Sequence, residues 1–547
     1  MSNQTPKPFA ITLDAGSSLA NHTGSWRTFK PVYVDRLPPC NETCPAGENI
    51  QAWLFRAEEG DYRGAWEEIV RNNPFPAIMG RACYHTCESA CNRAHLDEAV
   101  GIHAVERFLG DQAIRYGWHL PAPTAAPSGK KVLVVGAGPG GLACAYHLTR
   151  LGHNVTVVDA APQAGGMLRY GIPRYRLPRK VLDAEISRIV AYGVTVKLNT
   201  RIDDLAKAKA EGHYDAVFLA TGAPLSRETP LSSDGSVKVM DALALLRAIE
   251  TDGDRVLLGR RVAVYGGGNT AMDVARSAKR LGADLSLIVY RRDRTRMPAH
   301  SFEVKEAEEE GVVLSCLRTI QSVANGHLVL EKMVLNDQGS PIATGATETV
   351  AVETLVLALG QQIDPAPLTG IEGLTLVGDA VRVDNFLRTG HPGIYAGGDM
   401  VPSERTMTVA VGHGKKAARA IDAYLHGRDP AMPAKHEVAS FDKLNAWYYA
   451  DAPATVQPAL DVIRRQSGFE EVLGNLDEDN ARYEARRCLS CGNCFECDNC
   501  YGICPDNAIT KLGPGRRFEF KYDYCKGCAL CAAECPCGAI AIVAEDI

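Results

Sequence analysis

Cys494, Cys497 and Cys500 are each separated by two residues; Cys504 follows after three more, and Pro505 closes the run. Cys525, Cys528, Cys531 and Cys535 repeat the spacing and end at Pro536. Thiolates so placed are ligands for iron–sulfur cubes. A tight loop supplies three of them while its backbone N–H groups turn toward the sulfurs, and the fourth cysteine of each run ligates the other cluster. One predicted [4Fe–4S] site is therefore Cys494, Cys497, Cys500 and Cys535. The other is Cys525, Cys528, Cys531 and Cys504. A zinc site would more commonly come as two separated cysteine pairs. Cys488 and Cys491 extend the first run upstream, and Cys537 follows the second. No ligand set claims these three, and spare thiols are the plain reading.

A second kind of chemistry is carried by glycine. An apolar stretch at 132–135 runs into Gly136-Ala137-Gly138-Pro139-Gly140-Gly141. A strand that enters such a turn and a helix that leaves it form a pyrophosphate cradle. The glycines permit the tight turn, the close approach of the phosphate and the packing of helix on strand. The next apolar stretch, 155–158, ends in Asp159, placed for a ribose hydroxyl. The pattern recurs at Gly266, Gly268, Asn269, Thr270 and Ala271, but the following strand ends in Arg291-Arg292. Cations there suit the 2′-phosphate of NADP, while the adjacent Asp293 keeps NAD open. Two such turns of different character imply FAD on the first and NAD(P) on the second. Asp399, in Ala396-Gly397-Gly398-Asp399, is in position to hold a flavin ribityl hydroxyl. The helix after about Thr408 then aims its positive end at the pyrimidine side of the ring.

The elements that must hold these residues read as alternating strands and helices, hence parallel sheets. Strand–turn–helix units lie at 131–150 and 261–281, and further apolar strands end at Thr221-Gly222 and Leu359-Gly360. Helical spacing appears at 50–70, broken at Gly60, and again at 97–116. Residues 1–35 lack periodicity and read as a segment wrapping another surface. PAPTAAPSG (121–129) is a linker by composition. Sixteen of the eighteen cysteines fall within 40–44, 83–91 and 488–537. Such clustering reads as metal ligation, with Cys144 and Cys316 as buried small hydrophobes. The 547 residues imply several domains, and the net charge of −6 without a basic stripe argues against nucleic acid. The N-terminus lacks an apolar signal core and no run is long enough to span a bilayer, so the expected location is cytoplasmic. A disulfide reductase would need a CxxC pair within 130–430, and none is there.

The strings GGMLRYGIPRYRLP (165–178), GGGNTAMDVAR (266–276), VYRRDRTRMPA (289–299) and AGGDM (396–400) carry a resemblance. Residues from about 36 to 430 resemble the glutamate synthase small-subunit family. Its relatives include the N-terminal half of dihydropyrimidine dehydrogenase and the large subunit of NADH-dependent ferredoxin:NADP oxidoreductase. RCLSCGNCFECDNCYGICP (487–505) is similar to relatives that carry an appended ferredoxin domain. The resemblance adds Gly166, Leu168, Thr221, Gly222 and Thr408 as FAD contacts. It also implies N-terminal clusters. Carried over, one would use Cys44, Cys83, Cys87 and Glu106, with Cys40 and Cys91 as alternative ligands. Relatives with two such clusters have cysteines upstream, and here none precedes Cys40.

The expected fold is multidomain α/β: a helical N-terminal Fe–S domain, two Rossmann-like nucleotide-binding domains and a C-terminal α+β 2[4Fe–4S] ferredoxin domain. The boundaries are 1–125 for the N-terminal domain, 126–258 with 354–430 for a discontinuous FAD domain, 259–353 for NAD(P), 431–480 for a connector and 481–547 for the ferredoxin domain. The implied function is electron transfer between NAD(P)H and a partner subunit or ferredoxin through FAD and [4Fe–4S] clusters. Complexes such as 2-oxoacid:acceptor oxidoreductases or sulfite reductase systems are the expected setting, with a glutamate synthase small subunit as the alternative. No catalytic acid–base residue is expected, because hydride transfer depends on stacking geometry.

Overall fold

The computed structural model describes residues 22–227, 229–252, 255–432 and 434–545; the first part of the wrapping segment, 1–21, lies outside the described residues. Two five-stranded parallel sheets form the centre. In the first the strand order is Ile394–Ala396, Ala216–Leu219, Lys131–Val135, Asn154–Val158, Thr195–Lys197. In the second it is Val313–Cys316, Leu285–Tyr290, Arg261–Tyr265, Thr354–Leu357, Lys238–Asp241. Their strands are near-continuous Val, Leu, Ile and Ala because both faces are covered; on one face of the second sheet Leu287, Val289 and Leu355 pack with Ile320, Val323, Leu328 and Leu330 of the antiparallel strands Arg318–Ala324 and His327–Leu335.

The expectation that the first unit resumes at 354 fails at that strand. Thr354–Leu357 pairs in parallel with Arg261–Tyr265 and with Lys238–Asp241, so the second sheet takes both outer segments. Helix Ala242–Asp252 goes with them: Leu245, Leu246 and Ile249 pack with Val262, Val264 and Val356. After that strand the first sheet regains one strand, Ile394–Ala396, with Ile363, Leu368 and Val381 packed on it and the long helix Met407–Leu425 following. Gly414 in that helix lies against helix Pro139–Arg150; an added Cβ would stand 2.4 Å from Gly140 O.

The strings shared with the resembling family hold the two sheets together. Arg176 pairs with Asp273 at 2.9 Å and with Glu303 at 2.6 Å. Arg280 lies 3.7 Å over the Tyr175 ring and, with Arg276, clasps Glu310. These are buried charges, each with an opposite partner, as burial requires.

At the N-terminus, helices Ile50–Glu58 and Tyr62–Val70 are divided at Gly60, which adopts φ +80°. The next long helix is Ile102–Arg115, starting five residues later than the spacing suggests. Asp97 does not lie in it, because its carboxylate is engaged by Arg93 and Arg487. Residues 29–33 form a strand that the sequence conceals. Phe29–Tyr33 pairs antiparallel with Ile540–Ala544, and Pro31 is tolerated because the sheet has only two strands. Helix Glu478–Arg486 crosses the expected connector boundary at 480. Its Ala481 and Ala485, with Leu476, complete the core of Ile50, Trp53, Leu54 and Phe108.

Candidate functional site

The first glycine turn is built for a phosphate. Gly136 adopts φ +110°, and a Cβ there would meet Ala220 O at 2.2 Å. A Cβ on Gly141 would meet Gly136 O at 1.9 Å, so the third glycine brings the helix onto the strand. Gly138, by contrast, faces open space apart from Gly166 Cα at 3.8 Å, leaving a backbone surface for a ligand. Gly166, at φ +52°, caps the short helix Met167–Tyr170, which carries Leu168 across this turn. Asp159 accepts from Ala137 N at 2.7 Å and from Ala161 N at 2.8 Å, so it also shapes the turn. Gly222 is open, and Thr221 donates to the Met400 sulfur at 3.1 Å. The Asp399 carboxylate has no hydrogen-bond partner among the described residues. Burial pushes it up to about 6, opposed by Arg405. A half-buried carboxylate without a partner suits a ligand hydroxyl. The open glycine faces and this acid fit FAD.

The second turn repeats the logic. A Cβ on Gly266 would meet Ala358 O at 2.3 Å, while Gly268 is open and caps helix Asn269–Arg280, which includes Thr270 and Ala271. Asn269 Oδ1 accepts from His300 N at 2.9 Å, and Gly267 O accepts from Ala299 N at 3.1 Å, so the 289–299 string braces the turn. Arg294 is taken by Glu308 and Arg296 by Asp293. Arg291 and Arg292 have no carboxylate partner among the described residues.

The N-terminal cysteines divide into two groups. Cys44, Cys83 and Cys87 gather beside Glu106 and Glu48. Burial, with Glu48 and Cys83 as neighbours, pushes the Cys44 thiol up. Burial, then Glu48 and Cys83, drive the Glu106 carboxyl well above its ordinary range. Asn73 Nδ2 donates to Glu48 at 2.9 Å and to Glu106 at 3.0 Å, joining the two acids. This pocket touches the flavin side. Thr408 Oγ1 donates to Cys83 Sγ at 3.1 Å, and a Cβ on Gly412 would stand 2.0 Å from Pro45 O. Lys415 ties the loop down through Ala46 O at 3.1 Å and Gly47 O at 2.9 Å. Cys40 and Cys91 stand on the other side, facing Cys488 and Cys491. Glu48 lies in the first group, and Cys488 and Cys491 adjoin the second; sequence reasoning had given none of the three a role. The CxxC at 488–491 and the two unclaimed N-terminal cysteines were the available signal.

In the tail the two cysteine runs are related by a local repeat. Asp498 and Ala529, each one residue after a run's second cysteine, adopt φ +68° and +67° and start short helices. Ala508 N donates to Cys504 Sγ and Ala539 N to Cys535 Sγ, both at 3.3 Å. Cys494, Cys497 and Cys500 surround Cys535. Cys525, Cys528 and Cys531 surround Cys504 and line a hollow with it. All-thiol donor sets with inward backbone N–H groups fit [4Fe–4S] clusters. Cys537 Sγ lies 3.8 Å from Cys535 Sγ. Of the two isolated cysteines, Cys144 is buried and Cys316 only partly so.

Two nucleotide cradles flanked by cysteine pockets define an FAD- and iron–sulfur-dependent NAD(P)H oxidoreductase that works by electron transfer. The chain belongs to the pyridine nucleotide-disulphide oxidoreductase family, whose model matches residues 130–414. The model for dihydropyrimidine dehydrogenase domain II, 4Fe-4S cluster, matches 35–118, and that for the 4Fe-4S dicluster domain matches 493–539. The chain is 36% identical to the NADP(+)-dependent formate dehydrogenase subunit beta of Moorella thermoacetica, over 85% of this chain and 71% of that one. It is 32% identical to the NADPH-Fe(3+) oxidoreductase subunit beta of Geobacter sulfurreducens, over 84% and 77%. It is 33% identical to the glutamate synthase [NADPH] small chain of Escherichia coli, over 71% and 89%. FAD, NAD(P) and [4Fe–4S] clusters at both ends are the cofactors of these domains. Among the described residues no helix is long and apolar enough to cross a membrane.

Proposed function

We propose that this chain is the NADP(H)-handling subunit of a hetero-oligomeric oxidoreductase, exchanging electrons with a catalytic partner through its C-terminal ferredoxin segment. The names of the similar subunits favour a dehydrogenase partner, such as one acting on formate, over the 2-oxoacid and sulfite systems. A cytoplasmic setting goes with this reading.

When bound, FAD supplies the junction between the two-electron chemistry of nicotinamide and the one-electron chemistry of clusters. Gly136, Gly138, Gly141, Asp159, Gly166, Leu168, Thr221, Gly222, Asp399 and Thr408 would hold it. Gly266, Gly268, Asn269, Thr270 and Ala271 would hold the nucleotide, with Arg291 and Arg292 on a 2′-phosphate. Cys44, Cys83, Cys87 and Glu106 would hold the cluster nearest the flavin. The tail sets are Cys494, Cys497, Cys500, Cys535 and Cys525, Cys528, Cys531, Cys504. The flavin unit would comprise residues 126–230 and 359–430, and the nucleotide unit the residues between, following the sheet membership of Thr354–Leu357.

The observation that carries this reading is continuity. Cys83 touches the flavin-side helix through Thr408, and the last thiol group exposes Cys528 at the surface. The test is an anaerobic titration of the full chain with NADPH. Bleaching of both the flavin and the cluster absorption supports the reading. Flavin bleaching with every cluster left oxidised, in the presence of the partner, would refute it.

A further inference from the structure

We infer that Cys40, Cys91, Cys488 and Cys491 hold a fourth [4Fe–4S] cluster, assembled from the two ends of the chain. The inference rests on the iron–sulfur reading of the N-terminal segment. What it adds is the ligand set, since no cysteine precedes Cys40 to complete a second cluster there.

The four thiols come from different elements. Cys40 lies in helix Pro39–Thr43 and Cys91 caps the turn Asn92–His95. Cys488 directly follows helix Glu478–Arg486 and its Arg487 cap. Cys40, Cys91 and Cys488 pack on one apolar core, that of Ile50, Trp53 and Leu54. Cys491 is buried beside Leu489, and Asn92 Nδ2 reaches its sulfur at 3.4 Å. Each thiol lies within the field of the others: Cys488, Cys91 and Cys491 all act on Cys40.

The placement is enforced by a buried polar lock. Arg487 donates to Glu98 O at 2.6 Å, Ala99 O at 2.9 Å and Ala452 O at 2.9 Å, and pairs with Asp97 and Glu484. Glu484 in turn accepts from Gly101 N at 2.6 Å. Arg487 immediately precedes Cys488, so this lock sets where the CxxC begins. Between the two tail cysteines, Ser490 adopts φ +47° and its N–H points at Cys488 Sγ, 3.4 Å away. A strained turn that presents an amide to a thiol is the geometry of the predicted tail runs as well.

The spacing selects a cluster over a single ion. Tetrahedral zinc would bring its sulfurs to ~3.8 Å of one another. Among the described residues the only ligand triads within 4.8 Å are His85, Glu88, His103 and His153, Asp422, His426. No three of these four sulfurs close to within 4.8 Å of one another, which is wider than a zinc tetrahedron and leaves room for a cuboidal cluster. The site also fills a gap. Burial with Glu88, Cys83, Cys44 and Cys40 as neighbours acts on the Cys87 thiol, linking this pocket to the flavin-side one. Tyr449 packs against the core of Leu489 and Cys491 and has Cys488, Cys497 and Cys537 as charged neighbours.

The test counts metal in the full chain purified without oxygen. The wild type is expected to hold about 16 irons and no zinc, four per cluster. Cys40→Ala and Cys488→Ala should each fall to about 12, and so should the double variant, because both residues serve one cluster. FAD content reports that each variant is folded. A wild type with about 12 irons and one zinc overturns the inference. So do single variants that keep every iron, or a double variant that drops to about 8. A Cys83→Ala control should remove about four irons independently; its failure would instead refute the flavin-side cluster.

Discussion

Thr408 Oγ1 donates to Cys83 Sγ at 3.1 Å, so the first turn of the helix Met407–Leu425 is hydrogen-bonded to a cysteine of the N-terminal pocket. Thr408, proposed on the flavin through its place in that first turn, turns its hydroxyl to the thiol. A hydrogen bond to a ligand sulfur stabilises the reduced, more negative cluster and raises its potential. Thr408→Val removes the donor at nearly constant shape. The flavin-side cluster should become harder to reduce by about 1 kcal/mol, ~40 mV for a one-electron couple. A potentiometric EPR titration checks this, with FAD content as the control. An unchanged potential would remove Thr408 from the pathway.

Arg291 and Arg292 carry the coenzyme preference. Their neighbours Arg294 and Arg296 are already paired with Glu308 and Asp293, which leaves these two to meet a phosphate. Replacing both with Ala should weaken NADPH more than NADH by ~2 kcal/mol, the scale of charge-assisted hydrogen bonds. Binding measured by stopped-flow flavin reduction decides it. Equal losses for both nucleotides, or a wild type that prefers NADH, would reject the assignment.

Acid sensitivity should arise in the flavin unit at His147. Burial, with Lys415 and Arg150 nearby, pushes this imidazole down to about 3, and its Nε2 lies 3.0 Å from Asn72 O. The folded state holds it neutral, while the unfolded chain protonates it below about 6.5. Its contribution to stability is therefore full above that pH and lost as pH falls toward 3. The loss should be on the order of 2 kcal/mol by pH 5. The temperature of flavin release, followed by fluorescence, should fall less between pH 7 and pH 5 in His147→Gln than in the wild type. Parallel curves would place the acid-sensitive group elsewhere.

What the sequence made legible follows from how local each signal is. The tail clusters were readable because six of their eight ligands come in runs separated by two residues, and spacing alone then pairs Cys504 and Cys535 across the runs. The glycine turns were readable for the same reason. Sheet membership was not: the apolar run ending at Leu357 says strand, but only pairing with Arg261–Tyr265 says which sheet. The strand Phe29–Tyr33 was hidden by Pro31 and by its partner lying some 500 residues away. Cys488 and Cys491 were hidden in the same way. Their neighbours Cys40 and Cys91 are brought to them by Arg487 and Glu484, whose roles depend on carbonyls and amides at 97–101 that leave no mark in a motif.

The last prediction concerns where electrons leave. Nicotinamide must stack on one face of the isoalloxazine, so a large partner has no direct access to that ring. Cys528 is exposed, and its thiol group adjoins the other tail group where Cys500 neighbours Cys531. The tail is also not a loose appendage. Phe29–Tyr33 pairs with Ile540–Ala544, and a Cβ on Gly538 would strike Lys443 O at 2.3 Å, so the body grips the segment from two sides. A cut at 480 would therefore do more than remove an outlet: it would take away most of helix Glu478–Arg486, with Ala481 and Ala485, from the N-terminal core. The sharper change is Cys528→Ala. It should leave NADPH reduction of the flavin near the wild-type rate, because both glycine turns are untouched. It should remove most electron exchange with the partner subunit or an added ferredoxin, by an order of magnitude or more, because one terminal ligand set is broken. Partner reduction under NADPH, set against flavin bleaching in the same sample, separates the two steps. Full exchange in this variant would move the exit to the flavin-side pocket of Cys44, Cys83 and Cys87.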